Sequence, residues 1–101
     1  MYGTIATMRI TPGKLEDMQH YIEQEAKRIP GILFQYIYQM DADPNEYRLV
    51  VGFESREAYR ANAESPEMHE NYLRYRALLE TDPEWHDGEI AFAITSSGAS
   101  T

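Results

Sequence analysis

The chain has 101 residues, 43% of them hydrophobic, which indicates one globular domain. It has no cysteine, so disulfide bonds, thiolate nucleophiles and Cys-ligated metal sites are excluded. Seventeen acidic residues against nine scattered basic ones give a formal net charge of -8, and the apolar runs are short. We therefore expect neither nucleic acid nor a membrane as a partner.

The first predicted elements are a strand and a helix. Tyr2 to Ile10 alternates apolar and polar residues, as a strand does. The first residues do not show a basic segment followed by an apolar core, which is the pattern of a secretory signal. We therefore expect no secretory signal and a cytoplasmic location. Thr11 is the predicted N-cap of a helix that opens at Pro12 and ends at Pro30-Gly31. Its apolar stripe is Leu15, Met18, Ile22, Ala26 and Ile29.

Two strands connected by a hairpin loop are predicted next. Ile32 to Met40 and Tyr47 to Glu54 are rich in β-branched and aromatic residues, and residues 41–45 between them have the composition of a turn. Further along, Glu89 to Thr95 alternates again and predicts the last strand. Residues 97–101 are small and polar, so we predict a flexible tail after a domain spanning residues 1–96.

Two helix start signals lie between the third and the last strand. Ser55 is the predicted N-cap of a short helix over residues 56–63. Ser65-Pro66 repeats the signal for a longer helix, which reaches about Glu80 and is ended by residues 81–83. The apolar stripe of this longer helix is Met68, Tyr72, Tyr75 and Leu79.

The predicted order is β-α-β-β-α(α)-β, the α+β ferredoxin-like pattern of an antiparallel sheet with helices on one face. The strands nevertheless carry apolar side chains on both faces, as in the alternation of Tyr36 and Tyr38 with Leu33 and Ile37. A sheet with one wet face alternates more cleanly with polar residues. We therefore expect the second face to pack against another subunit in a homodimer.

The densest motif runs from Phe53 to Tyr72, where a strand gives way to a short helix and Ser65-Pro66 begins another. Over residues 3–94 the chain resembles the antibiotic biosynthesis monooxygenase family. The resemblance implies a dimeric α+β barrel, an oxidoreductase with no bound cofactor, and a small aromatic substrate such as a quinol, an anthrone or a polyphenol. Many relatives have a histidine in an Ala-His-x-x-Ser-Pro pattern where this chain has Asn62.

The resemblance points to three candidate catalytic residues. Asn62 could donate a hydrogen bond to a phenolic or carbonyl oxygen, but it does not titrate and cannot be a general base. The alternative is that Asn62 bonds the backbone near a helix end. A neutral His69 could take a phenol proton, or it could be a boundary residue paired with a nearby acid. Tyr72 lies on the apolar stripe, so its inward hydroxyl needs a partner from protein or ligand.

Aromatic side chains are the candidate substrate-binding residues. Flat apolar walls with hydroxyl tips suit an aromatic ligand, and such walls could come from Tyr36, Tyr38, Tyr47 and Trp85. The alternative is that these rings belong to the core and the dimer interface.

Metal and haem sites are not expected. Glu16 with His20, and Asp82 with His86 and Asp87, have no recognised ligand spacing. A haem-degrading subgroup of similar fold depends on an asparagine, a tryptophan and an iron-ligating histidine at positions occupied here by Thr7, Asn62 and Tyr72.

Two other functions remain open from the sequence. One is a non-catalytic binding or accessory protein that holds a small apolar ligand in the same pocket. The other is an isomerase or lyase on the same dimeric scaffold, in which His69 or a carboxylate moves the proton.

Overall fold

A computed structural model describes residues 1–96, and the predicted flexible tail at 97–101 lies outside the described residues. The elements in chain order are β1 (Tyr2–Met8), α1 (Leu15–Arg28), β2 (Ile32–Gln39), β3 (Tyr47–Phe53), α2 (Arg56–Ala63), α3 (Pro66–Arg76) and β4 (Glu84–Glu89). The strands form one sheet in the order β2-β3-β1-β4, and all neighbours are antiparallel. The predicted α+β, ferredoxin-like fold is confirmed.

The helices cover one face of this sheet, and the core lies between them and the central strands. Alternate residues of β1 and β3 point to this side, because side chains of a strand alternate between faces. Met8 and Met18 are the largest fully buried side chains, and Tyr75 of α3 joins them in the core. The remaining buried hydrophobic residues include Ala6, Leu49, Val51 and Phe53.

No helix among residues 1–96 covers the opposite sheet face, which is rich in apolar side chains. Ile5 pairs with Val50, and Val50 pairs with Tyr36, so these three side chains lie on the same face. Ile5, Tyr36 and Tyr38 are 46%, 56% and 54% exposed. Phe34 and Tyr36 stack there, with their ring centroids 5.2 Å apart.

Helix α1 begins three residues later than the sequence indicated. It starts at Leu15, and its N-cap, Lys14, makes no side-chain capping bond. Thr11 does not cap the helix, because Gly13 adopts a left-handed conformation (φ 85°) and interrupts the helical path. The apolar stripe is also shifted, since Ala26 is exposed while the side chain of Glu25 is only 12% exposed.

Helix α3 is shorter than predicted because its last turn is replaced by a contact with the end of β1. It ends at Arg76, not near Glu80. Ile10 and Leu79 form an isolated antiparallel bridge, and the main chain of Glu80 donates to the Arg9 carbonyl oxygen at 2.9 Å.

The predicted last strand was misplaced. It spans Glu84–Glu89, not Glu89 to Thr95. Glu89 pairs with Tyr2, the first residue of β1, so the neighbouring strand ends where β4 ends. The Ile90 main chain still donates to the Met1 carbonyl oxygen at 2.9 Å, but beyond it the alternating segment pairs with no strand among residues 1–96. Phe92 and Ile94 are each 80% exposed.

Both serine caps are present as predicted. The Ser55 hydroxyl accepts a hydrogen bond from the Ala58 main chain at 3.0 Å, and that of Ser65 accepts one from Met68 at 3.2 Å. None of the helices described over residues 1–96 is long and apolar enough to cross a membrane.

Candidate functional site

A cavity of about 640 Å³ lies between the helices and the covered face of the sheet. All three helices and all four strands contribute to its walls, β2 through Ile32 and Gln35. The floor consists of core residues of the sheet, among them Leu49, Val51 and Phe53. This volume falls in the range of pockets that bury small organic ligands.

One wall of the cavity is a continuous row of aromatic rings. The Tyr75 ring is at its centre, with centroid distances of 5.7 Å to Tyr21, 6.3 Å to Tyr72 and 5.9 Å to Trp85. Trp85 reaches this wall because it pairs with Ala6, whose side chain faces the helices. Stacked or edge-on contacts with these rings would favour a flat aromatic ligand.

Asn62 lies where α2 gives way to α3, at the edge of the cavity. Its main-chain carbonyl oxygen accepts hydrogen bonds from the Ser65 main chain at 3.1 Å and from the Ser65 hydroxyl at 2.9 Å. Its side-chain Nδ2 makes a weaker contact with Met68 Sδ, at 3.7 Å. The junction is therefore held by the Asn62 main chain, and Asn62 and Met68 both line the cavity.

His69 and Tyr72 line the same cavity as Asn62. Tyr72 is half-buried within the aromatic row, whereas His69 is exposed at the cavity edge. The structure thus brings together the three residues that the sequence nominated for catalysis.

Tyr59 and Asp87 connect α2 to β4 on another side of the cavity. The Tyr59 hydroxyl donates to Asp87 Oδ1 at 2.8 Å. Burial, assisted by the Asp87 carboxylate, raises the pKa of Tyr59 to about 12. Tyr59 is therefore a neutral hydrogen-bond donor across the physiological pH range.

The two innermost tyrosines are also neutral. Burial raises the pKa of Tyr21 and Tyr75 well above the usual range of a phenol. The Tyr21 hydroxyl donates to the Asn71 carbonyl oxygen at 3.1 Å, and the Tyr75 hydroxyl contacts Met8 Sδ at 3.5 Å. The single O–H of each phenol is therefore used inside the protein, and both rings remain neutral walls of the cavity.

Glu25 is a cavity residue that the sequence reasoning missed. Its side chain is only 12% exposed, and its Oε2 lies 3.6 Å from Arg28 Nη2. From the sequence alone, a glutamate in an amphipathic helix is assigned to the solvent side, although here it lies on the inward side. Its i, i+4 spacing from Tyr21 is the signal that could have identified it.

The predicted substrate-binding residues divide between the two sides of the sheet. Trp85 lines the cavity. Tyr36 and Tyr38 lie on the uncovered face and do not. Tyr47 faces the helices but is buried beside Gln39, whose Nε2 donates to its hydroxyl at 3.2 Å, and it lies outside the cavity wall.

The acid and histidine side chains singled out in the sequence are not grouped as a metal site would require within the described residues. Over residues 1–96, no three His, Asp or Glu side chains are placed so that they could hold a metal ion together.

The family of this chain is shown by a match to a family model. A family model described as antibiotic biosynthesis monooxygenase matches residues 1–74. A candidate antibiotic biosynthesis monooxygenase from Deinococcus radiodurans superposes with a TM-score of 0.74 at 17% identity, covering 97% of this chain and 100% of that one. One from Chloroflexus aurantiacus gives 0.72 at 24% identity, covering 93% and 96%. Among curated proteins no sequence match was found.

An oxygenase of named activity has a similar structure. SnoaB from Streptomyces nogalater, described as a cofactor-independent oxygenase and solved as a variant in which one asparagine is replaced by alanine, superposes with a TM-score of 0.74. It is 13% identical, and the match covers 94% of this chain and 97% of that one. At such identities the similarity shows a shared fold.

Proposed function

Because this chain belongs to the antibiotic biosynthesis monooxygenase family, we propose that it oxidises a small, electron-rich aromatic substrate, such as a quinol, an anthrone or a polyphenol, with dioxygen and without a bound cofactor. The observation that carries the proposal is the cavity of about 640 Å³, where Asn62 and Tyr72 lie beside the aromatic row. A cavity of this size can enclose a flat ligand of two or three fused rings.

The reaction can be written for an anthrone. A ring CH₂ group loses a proton, and the resulting anion transfers an electron to dioxygen and combines with it as a hydroperoxide. Loss of water from the hydroperoxide leaves a carbonyl group at the former CH₂ position. A proton from His69 or from solvent converts the peroxide anion into the hydroperoxide and replaces the one lost in the first step. One oxygen atom of dioxygen enters the product, the other leaves in water, and the substrate supplies all the electrons.

In this proposal the protein contributes position and hydrogen bonding. The Asn62 carboxamide and the Tyr72 hydroxyl donate to the substrate oxygen as it gains negative charge. The aromatic row holds the ring system flat and limits the access of water. His69, at the cavity edge, takes up the first proton and exchanges it with solvent.

The test is oxygen uptake with a panel of quinols and anthrones, followed by product analysis. Turnover by the wild type that falls in Asn62→Ala, and does not fall in Asn45→Ala, supports the proposal. Asn45 is a matched control because it lies exposed in the β2–β3 loop, outside the cavity. Tight binding of the panel without oxygen uptake would instead select the binding or accessory role.

We also propose that two copies pair through the uncovered sheet face. Ile5, Tyr36 and Tyr38 leave an apolar surface there that a single chain does not cover. Covering it would complete the dimeric α+β barrel that the family resemblance implies, and a two-fold arrangement is the commonest way to pair identical surfaces.

A further inference from the structure

The charged side chains that line the cavity are of one sign. Glu25 of α1, Glu64 at the C-cap of α2 and Asp87 of β4 all contribute to its walls, whereas the described lining residues include no lysine or arginine. Arg28 is the basic side chain paired with Glu25, and it is itself 41% exposed to solvent. The net charge of -8 adds a longer-range field of the same sign.

These carboxylates stand around aromatic rings whose faces also attract cations. Tyr21, Tyr72, Tyr75 and Trp85 line the cavity with four aromatic rings, and the face of such a ring attracts a cation placed over it. A carboxylate behind such rings is a general arrangement for binding an ammonium group, since both attractions act on the same charge. An anionic ligand would meet repulsion from both.

We propose that the cavity selects aromatic ligands that carry a protonated amine and rejects those that carry a carboxylate. The inference rests on the proposed function for the identification of this cavity as the substrate site, and it adds the charge class of the substrate. Glu25 is the principal contact of the ammonium group, because its 12% exposed side chain is screened less by water than an exposed Asp87. Arg28 lies 3.6 Å from one Glu25 oxygen, so it weakens this attraction without cancelling it.

The test uses three ligands that share a naphthalene ring and a two-carbon side chain but differ in charge. They are 2-(1-naphthyl)ethylamine, 2-(1-naphthyl)ethanol and 1-naphthylacetate, with binding measured by titration calorimetry on the full chain. At low salt we expect the amine to bind about tenfold more tightly than the acid, with the alcohol between them. Raising the salt to about 0.5 M should narrow the difference, because charge interactions near solvent are screened.

Two variants locate the source of the preference. Glu25→Gln should reduce the amine-to-acid ratio by about threefold or more, and Asp87→Asn should reduce it less. Glu23→Gln is the matched control, since it removes the same charge from an exposed position of the same helix outside the cavity. Folding of each variant is checked by circular dichroism, and Asp87→Asn carries the test if Glu25→Gln is unfolded.

The outcomes separate this inference from the proposed function. Four results would each overturn the charge selection. They are a preference for the acid, equal binding of all three ligands, no binding of any ligand, and equal losses in Glu25→Gln and Glu23→Gln. None of the ligands is a quinol or an anthrone, so the result does not depend on oxidation. Amine selection with no oxygen uptake by any quinol or anthrone would retain this inference and reject the monooxygenase.

Discussion

The main chain and the side chain of Asn62 make separate contacts. Its main-chain carbonyl oxygen holds Ser65 at the junction of α2 and α3, and that bond does not depend on the side chain. Its carboxamide has only the 3.7 Å contact with Met68 Sδ. A side-chain substitution at this position can therefore affect the ligand while leaving the junction in place.

For Asn62→Ala we predict lower turnover or ligand affinity with a loss of stability below about 1 kcal/mol. Steady-state oxygen uptake and urea denaturation measure the two effects on the same preparation. A larger loss of stability with unchanged binding would mean that the side chain braces the junction and has no role in the cavity.

Replacing Asn62 with the histidine found in many relatives tests whether a missing base limits activity. Asn62→His should raise quinol oxidation, and the gain should appear as pH rises through about 6.5, where imidazole becomes a neutral acceptor. The measurement is the pH profile of oxygen uptake. If activity does not rise at any pH, the missing-base explanation fails and His69, Glu25 or a binding role takes its place.

The pKa of Tyr59 predicts a loss of stability at alkaline pH. Folding raises this pKa from 10.0 to about 12 by burial and by the Asp87 carboxylate. Because the pKa is higher in the folded state, Tyr59 contributes its full stabilisation below pH 10. This contribution is lost as pH rises from 10 towards 12. The melting temperature of wild type should therefore fall more steeply over this interval than that of Tyr59→Phe. Parallel curves would show that Tyr59 ionises equally in both states.

At the scale of elements, the serine caps are the clearest sequence-determined features. Ser65 has a double role, since its hydroxyl accepts from the Met68 main chain and donates to the Asn62 carbonyl oxygen. Ser65→Ala should cost about 1 kcal/mol and also weaken ligand binding through a displaced Asn62. Ser55→Ala is the matched control, because it removes the cap of α2 at a distance from the cavity. Equal loss of binding in both variants would refute a specific role for the junction.

The two serine caps, the β2–β3 loop and the order of elements were predictable because their causes are local. A serine hydroxyl reaches an amide three residues away, whatever the rest of the chain does. The end of α3 was not predictable, since the alternative to its last turn is a bridge between Leu79 and Ile10, far apart in sequence. The start of α1 was missed for a local reason, the left-handed conformation of Gly13.

The cavity residues also divide into those that the sequence could predict and those that it could not. Asn62, His69 and Tyr72 could be nominated because the motif around Ser65-Pro66 lies on two consecutive helices. Tyr36 and Tyr38 were assigned to the pocket because composition does not reveal which face of a strand will be covered. The bulge between Ile32 and Phe34 changes the alternation within β2, and the register with β3 places both tyrosines on the uncovered face.

At the scale of the whole molecule, the uncovered face decides the assembly. Light scattering should give a mass of twice 11.7 kDa over a wide range of concentration if this face is buried between two copies. Tyr36→Lys places a charge within the apolar surface, where Tyr36 stacks on Phe34. We expect this variant to lose the dimer and most of its folded population, because small obligate dimers often lack a stable monomer.

The control for that experiment is Gln19→Lys, which adds the same charge at an exposed position of α1, away from the sheet. It should remain dimeric with an unchanged melting temperature, so that a general effect of charge is separated from an effect on the interface. Dilution adds a second readout: the melting temperature of wild type should fall as the concentration falls, since dissociation and unfolding are coupled. A wild type that stays monomeric and folded at high concentration would show that the apolar face is stable in water, and the paired barrel would then be wrong for this chain.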